Sequence, residues 1–245
     1  SDSSGRGQYT VCDSLQEFIN SLEAPRKVFL MITAGAPVDQ VIRDLMPCLE
    51  EGDVIIDGGN SYYEDTQRRC RTCHEAGIQY VGAAVSGGEK GDLEGHSIMP
   101  GGSAEGYEQS KHILETIAAH NTGRPCCCYI GPGGSGHYVK MVHNGIEYAI
   151  LELIGETYML LKYGLGRQHE EIQEIFRSWR STRLDSYLLD ISVRVMEEYE
   201  EDKTPLVDRI LDTAEQKGTG LWTVEEALRR GVYMPAVYEA VAARS

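Results

Sequence analysis

Short apolar runs alternate with amphipathic segments in the first half of the chain. Residues 27–32, 53–57 and 78–82 are apolar runs that predict buried strands. Residues 38–49 and 66–76 carry apolar side chains at helical spacing and predict helices. Strands that alternate with helices form a mostly parallel sheet with helices on its faces. Ligands of such sheets bind beyond the carboxyl ends of the strands, so the turns after these runs are where chemistry is expected.

The second part of the chain has a helical pattern. A strand-like run at 126–130 precedes a domain boundary near Gly133, and residues 135–163 then predict an unusually long helix. Further helices are expected at 170–177, 184–198, 206–216 and 223–230. We therefore expect an α/β fold in which a parallel sheet is followed by an all-helical domain.

Composition limits the class of protein and its partners. The 245 residues are 41% hydrophobic and 25% charged, as is ordinary for a globular protein, and the formal net charge is −15. Such a surface repels nucleic acid and anionic membranes, and no apolar run has the length of a membrane-spanning helix. The seven cysteines are odd in number and three are consecutive. This usage favours reduced thiols and a cytoplasmic location over a disulfide framework.

The most informative pattern is a polar stripe on the long helix. Lys140, His143, Asn144 and Glu147 lie at positions i, i+3, i+4 and i+7, which share one helix face. The lysine and the glutamate are about 10 Å apart along the axis, room for a small substrate. A lysine becomes a general base when its pKa is lowered, and a glutamate becomes a general acid when its pKa is raised. Spacing alone leaves a solvated helix face equally open.

Glycine-rich turns occur at residues 86–91, 99–102, 131–136 and 216–220. The turn at 131–136 formally matches the dinucleotide fingerprint G-x-G-x-x-G, but that motif needs a second strand about 30 residues later, where the long helix continues. We favour a tight turn that starts the helix close to the sheet and to a ligand. The turns at 86–91 and 99–102 suit anion contacts through backbone N–H groups, although a plain surface turn is the commoner explanation of such a motif. The turn at 216–220, with Lys217, suits a phosphate or carboxylate contact and equally suits a helix C-cap followed by a turn.

The segment 70–74 reads Cys-Arg-Thr-Cys-His and formally matches a haem attachment motif. Redox and zinc roles are the other cofactor alternatives, but no second cysteine pair completes a zinc site. The segment lies inside a charged helical stretch. We expect no haem and no metal there.

Five motifs together resemble the 6-phosphogluconate dehydrogenase family in order and spacing. They are Asp-Gly-Gly-Asn-Ser at 57–61, Val-Ser-Gly-Gly-Glu at 85–89, Met-Pro-Gly-Gly at 99–102, Val-Lys-Met-Val-His-Asn-Gly-Ile-Glu-Tyr at 139–148 and Gln-Lys-Gly-Thr-Gly at 216–220. The resemblance extends from about Val11 onward. It implies a truncated Rossmann-like parallel sheet in an incomplete dinucleotide-binding domain, 1–133. The N-terminal part of the family's all-α domain would follow, 134–245.

The resemblance implies oxidative decarboxylation of 6-phospho-D-gluconate to ribulose 5-phosphate in the pentose phosphate pathway, with reduction of NADP by a homodimer. Lys140 matches the family's general base, and Glu147 matches the acid that protonates the enediol. The substrate residues implied by the motifs are Asn60, Ser86, Gly87, Gly88, His143, Asn144 and Tyr148, with Lys217 and Arg244 on the phosphate. The cofactor residues implied are Ile32, Thr33, Ala34 and Asn60.

Departures from the family pattern lead to further expectations. The family's first strands, with the true G-x-G-x-x-G turn and the residues that choose NADP over NAD, have no counterpart here, and the family continues well beyond Arg244. Thr33 stands where the family usually has lysine. We therefore expect an incomplete form that binds NADP poorly and has negligible turnover. The alternatives are a non-catalytic dimerising remnant of the same family and a sister β-hydroxyacid dehydrogenase, such as a 3-hydroxyisobutyrate enzyme.

Overall fold

Three parallel strands form the centre of the first half of the chain. The computed structural model describes residues 10–87, 91 and 93–244. Strands β1 (Lys27–Leu30), β2 (Val54–Asp57) and β3 (Gln79–Ser86) pair in parallel in that order. Strand β4 (Ser97–Gly102) pairs antiparallel with β3. The mostly parallel sheet is confirmed.

Helices cover both faces of this sheet. They are α1 (Leu15–Asn20), α2 (Ala36–Leu45), α3 (Tyr63–Glu75) and α4 (Ala104–Ile117). After α4, strands β5 (His120–Asn121) and β6 (Arg124–Pro125) form a short antiparallel hairpin. Successive side chains of a strand point to opposite faces. Ile55 accordingly packs in a cluster with Val38 of α2, whereas Val54 and Ile56 pack in a second cluster with Leu114 of α4.

Helix α5 (Ser135–Met159) begins directly against the backbone of the sheet. A Cβ atom added at Gly136 would lie 2.2 Å from the carbonyl oxygen of Met99 and 2.5 Å from that of Gly82. Only glycine fits such an approach. The geometry agrees with the interpretation of residues 131–136 as a tight turn that starts the helix at the sheet.

The chain divides into two units within α5, the first ending at Met141 and the second starting at Val142. In the second unit a π-helical turn, Leu160–Gly164, ends the long helix. The helices that follow are α6 (His169–Trp179), α7 (Tyr187–Glu197), α8 (Thr219–Arg230) and α9 (Pro235–Ala242). Phe176 of α6 and Val193 of α7 belong to one buried cluster, whereas Ala149 of α5 packs with Val224 and Val241 in another.

Two elements expected from the sequence are wrong. The helix expected at 206–216 is only a 3₁₀ turn, Leu206–Asp208, because Ile210 and Leu211, which gave the segment its amphipathic pattern, remain exposed. The strand-like run at 126–130 makes an isolated bridge from Cys127 to Ile98 and no continuous ladder. Across the described ranges, no helix has both the length and the apolar character that a membrane crossing requires.

Candidate active site

The turn after β2 is held in one shape by a buried carboxylate. Asp57 accepts hydrogen bonds from the backbone N–H of Gly59 at 3.1 Å, the Ser61 hydroxyl at 2.6 Å and the Tyr80 hydroxyl at 2.9 Å. Burial raises the pKa of Tyr80 well above its ordinary value, so this hydroxyl remains a donor. Asn60, at the tip of the turn, is exposed beyond the carboxyl end of β2.

Arg69 of α3 joins this turn to the loop after β1. Its buried guanidinium donates to the Ser61 hydroxyl at 3.2 Å and to the carbonyl of Gly35 at 2.9 Å. It also donates to Asp39 at 2.8 Å, and this hydrogen bond holds the pKa of Asp39 below its ordinary value. The interpretation of the sequence missed Arg69, because an arginine in a charged helical segment carries no sign that it will be buried.

The loop after β1 lies against the turn after β2. A Cβ atom added at Gly59 would lie 3.2 Å from the carbonyl oxygen of Ile32. Ile32 and Thr33 are exposed, and Ala34 is half-buried. An exposed apolar loop at the carboxyl ends of parallel strands fits the flat face of a nicotinamide cofactor. The structure therefore brings Ile32, Thr33 and Ala34 to the same sheet edge as Asn60.

The end of β3 reaches the same edge of the sheet. Ser86 is half-buried, and Gly87 has φ +148°. A Cβ atom added at Gly87 would lie 3.1 Å from the Cα atom of Gly91 and 3.1 Å from Nδ1 of His96, so a side chain at this position would be crowded. Gly88, also expected to touch substrate, lies outside the described residues, as do Glu89 and Lys90.

The polar stripe on α5 is only partly accessible to solvent. Lys140 retains 6% of its exposure, whereas the His143, Asn144 and Glu147 positions are half-buried. His143 Nδ1 lies 3.4 Å from a carboxylate oxygen of Glu147 and 3.2 Å from the side-chain oxygen of Asn144. Of these side chains Lys140 is buried, whereas those of His143 and Glu147 keep 39% and 37% of their exposure.

A second set of predicted residues meets inside the helical unit. The Arg244 guanidinium lies 4.1 Å from the centre of the Tyr148 ring, a cation–π geometry, and its Nε atom has no hydrogen-bond partner among the described residues. The side-chain amide of Asn144 donates to the Thr219 hydroxyl at 3.3 Å. Lys217 is exposed and directly precedes the N-terminus of α8. An arginine with a spare donor, a lysine and a helix N-terminus suit an anion such as a phosphate.

The cysteine motif at residues 70–74 was expected to hold no metal. In the part of the chain that the structure describes, no group of three or more His, Cys, Asp or Glu side chains is arranged to hold a metal ion. Cys70 and Cys73 are free thiols, and burial raises their pKa values to about 12 and about 11.

The architecture is that of dehydrogenases that join a dinucleotide-binding sheet to a helical domain. A family model described as the NAD binding domain of 6-phosphogluconate dehydrogenase matches residues 3–131. A second, described as the C-terminal domain of 6-phosphogluconate dehydrogenase, matches residues 136–245. The chain therefore belongs to the 6-phosphogluconate dehydrogenase family.

Individual relatives agree with this assignment. The chain is 53% identical over 232 residues to the NADP(+)-dependent, decarboxylating 6-phosphogluconate dehydrogenase of Bacillus subtilis. It is 52% identical to the NAD(+)-dependent enzyme of the same organism. Both alignments cover 94% of this chain, but only 50% and 49% of the relatives. The chain thus spans about half the length of the curated relatives it matches.

Solved structures of other dehydrogenases also superpose on this chain. The Plasmodium falciparum 6-phosphogluconate dehydrogenase, described in apo form and in complexes with NADP+ and 6-phosphogluconate, superposes with a TM-score of 0.90 at 45% identity. That match covers 94% of this chain and 50% of the other. A Mycobacterium tuberculosis 3-hydroxyisobutyrate dehydrogenase shares the fold at a TM-score of 0.71 with 19% identity, covering 94% and 75% of the two chains.

Proposed function

We propose that the whole protein oxidatively decarboxylates 6-phosphogluconate to ribulose 5-phosphate and CO₂ with NADP as hydride acceptor. The observation that carries this proposal is the stripe of α5, where a buried Lys140 and a half-buried Glu147 share one helix face, two turns apart. The Plasmodium falciparum relative, whose complexes contain NADP+ and 6-phosphogluconate, supports the choice of ligands. The location expected from the free thiols is cytoplasmic.

Lys140 takes the proton of the substrate's C3 hydroxyl group while the C3 hydride leaves. When bound, the nicotinamide accepts that hydride. The resulting β-keto acid loses CO₂ from C1, and the electron pair of the broken C1–C2 bond forms the double bond of an enediol. The protonated Lys140 returns its proton to the C3 oxygen, which completes the enediol. Glu147 then donates a proton to C2 while the C3 hydroxyl gives its proton back to Lys140, and this restores the ketone of ribulose 5-phosphate. General acid–base groups of this kind contribute about 10²- to 10⁴-fold each.

The remaining site residues are proposed to hold the two ligands. Asn60, Ser86, Gly87 and Gly88 bind substrate from the sheet, and His143, Asn144 and Tyr148 bind it from α5. Lys217 and Arg244 bind the phosphate group. Ile32, Thr33 and Ala34 line the cofactor, and Asn60 contacts both ligands. The division of the chain near Gly133, into 1–133 and 134–245, also stays a prediction.

Replacing the proposed base and acid tests the reaction directly. In the whole protein, we expect Lys140→Met to lower kcat by about 10³-fold and Glu147→Gln by about 10²-fold, because each removes one proton-transfer group. NADPH absorbance and CO₂ release report the rates. Glu156→Gln, an exposed position on the same helix, should leave both rates within twofold. Full turnover by the Lys140→Met variant would refute the proposed reaction.

NAD is a second candidate cofactor. The NAD(+)-dependent Bacillus subtilis relative matches almost as well as the NADP(+)-dependent one, at 52% against 53% identity. Measuring kcat/KM with each cofactor in the same preparation decides between them. A higher value with NAD would replace NADP in the proposal.

A homodimer is supported by an exposed apolar face of the long helix. Ile146, Ile150, Leu153 and Leu160 follow one another at helical spacing, and all four are exposed. A face of this kind is typical of a protein–protein interface. We expect Leu153→Glu to shift the protein toward monomer in sedimentation velocity, whereas Leu228→Glu, on α8, should not. If the fraction of dimer is the same for Leu153→Glu as for Leu228→Glu, the proposed interface is contradicted.

A further inference from the structure

A buried histidine on α5 joins the start of that helix to the turn after β2. His137 retains 1% of its exposure and precedes Lys140 by three residues, almost one helical turn. Its Nε2 atom lies 2.9 Å from the carbonyl oxygen of Gly59, and its Nδ1 atom lies 2.7 Å from the Thr66 hydroxyl. Both ring nitrogens therefore have partners within the sheet unit.

The partners determine which ring nitrogen carries the proton. A carbonyl oxygen only accepts, so Nε2 must be the N–H that donates to Gly59. Burial lowers the pKa of His137, which keeps the ring neutral, and Nδ1 then accepts from the Thr66 hydroxyl. The ring is fixed in one tautomer and one orientation by these two contacts.

The contact with Gly59 sets the direction of the peptide group that leads into Asn60. The N–H of Gly59 already donates to Asp57 at 3.1 Å, and its carbonyl accepts from His137. A planar trans peptide points the next N–H away from the carbonyl oxygen. The backbone N–H of Asn60 is therefore directed away from His137, and the exposed Asn60 side chain starts from a backbone fixed on both sides of Gly59.

We propose that His137 is a positioning residue for the dehydrogenase reaction. It holds the peptide before Asn60 at a set place relative to the helical turn that carries Lys140. The proposal rests on the proposed function, in which Asn60 contacts both ligands and Lys140 is the base. Small displacements of a reacting pair are costly, about 10²-fold for a shift of roughly 1 Å.

A purely structural role for His137 makes a different prediction. Helix α5 is also anchored to the sheet at Gly136, so the histidine contact is not the sole attachment of the helix. If His137 only filled space, any replacement of similar size would lower stability without a selective effect on turnover. If it positions Asn60, a replacement that keeps the donor to Gly59 should restore turnover.

The test compares two variants of the whole protein. Glutamine places an amide N–H near the position of the histidine Nε2–H, whereas leucine has no donor. We expect His137→Leu to lower kcat about 10- to 100-fold and to raise the KM for 6-phosphogluconate. His137→Gln should recover kcat to within about fivefold of the parent, because a neutral N–H donor to Gly59 is retained. Thermal unfolding of both variants controls for the fold.

Two further measurements separate this inference from the proposed function. Amide hydrogen exchange at Gly59, whose N–H donates to Asp57, should be faster in His137→Leu and restored in His137→Gln, whether or not the protein turns over. Thr66→Val removes the hydroxyl that contacts Nδ1 but keeps the Nε2 donor to Gly59, so it should lower kcat less than His137→Leu does. Thr157→Val, which removes a hydroxyl that donates to Leu153 of its own helix, is its matched control. The proposed function fails if Lys140→Met remains active. The inference fails if His137→Leu keeps parental kcat, KM and exchange, or if His137→Gln is as impaired as His137→Leu.

Discussion

At the residue scale, Asp53 ties the segment before β1 to the segment before β2. Its carboxylate accepts from the Arg26 backbone N–H at 2.7 Å, the Arg26 guanidinium at 3.0 Å and the Glu50 backbone N–H at 2.9 Å. Burial raises the pKa of Asp53, but the hydrogen bonds from Glu50 and Arg26 outweigh burial and leave it below the ordinary 3.8. Because the folded-state pKa is lowered, the carboxylate contributes stability above pH 3.8 that is lost as pH falls through the folded value.

We therefore expect Asp53→Asn to lower the free energy of unfolding by about 1 to 3 kcal/mol at pH 7, since an amide has only one acceptor oxygen and leaves one of these three donors without a partner. The difference between parent and variant should shrink below pH 4. Urea unfolding at several pH values measures it. Asp44→Asn, at an exposed position, should change stability by less than about 0.5 kcal/mol. A pH-independent difference would show that charge is not the cause.

Part of the candidate site follows from the sequence at this scale and part does not. Lys140, His143, Asn144 and Glu147 were recognisable because helical spacing alone places them on one face. Arg69 and His137 were not, because their partners lie 34 and 78 positions away at Gly35 and Gly59. Only the fold brings such groups together, so no local pattern indicates their burial.

At the element scale, the position of α5 depends on one glycine. Gly136 is confined by backbone carbonyl oxygens of β3 and β4, which have little freedom to move. We expect Gly136→Ala to destabilise the protein by about 1 to 3 kcal/mol through overpacking, and to lower turnover because Lys140 lies on the next turn. Denaturant unfolding and kinetics measure the two effects.

Gly155 of the same helix is the matched control. A Cβ atom added there meets nothing within 4 Å. Because glycine in a helix interior costs about 0.5 to 1 kcal/mol relative to alanine, Gly155→Ala should stabilise the protein by a similar amount. Equal effects of the two substitutions would mean that crowding against the sheet does not decide the outcome at Gly136.

Helices and strands could be predicted from the sequence where the residues of a local apolar pattern are buried in the fold. The strands at 54–57 and 79–86 carry continuous apolar runs, and both contribute to the buried centre of the sheet. Strand β4 was missed because its Pro100, Gly101 and Gly102 are residues typical of turns. Its pairing with β3 is a non-local property, as is the exposure that removes the helix expected at 206–216.

At the scale of the whole molecule, the alternation of strands and helices followed by helices alone was enough to predict the fold class. The sequence pattern also predicted that the change from alternating strands and helices to helices alone occurs near Gly133, close to the start of α5 at Ser135. The antiparallel direction of β4 and the division of the chain within α5 did not follow from it, because both depend on contacts between distant segments.

The seven thiols offer a test of the fold across the chain. All are free, yet they differ in environment: Cys128 is exposed, whereas Cys73 and Cys127 are buried and burial raises both of their pKa values to about 11. The thiolate is the reactive form, so a rise from the ordinary value of about 8.5 makes a buried thiol at least about 100-fold slower at pH 8.

We expect a maleimide to label Cys128 first, and Cys70, Cys73 and Cys127 only after unfolding. Mass spectrometry of digested protein at timed intervals assigns each site. Cys128→Ser should remove the fast phase and leave the slow phases unchanged. The labelling rates of Cys127 and Cys128 give the most informative comparison, because the two residues are adjacent in sequence and differ in burial. Labelling of both at one rate in the folded protein would contradict the packing of Cys127 against the sheet beside Ile98.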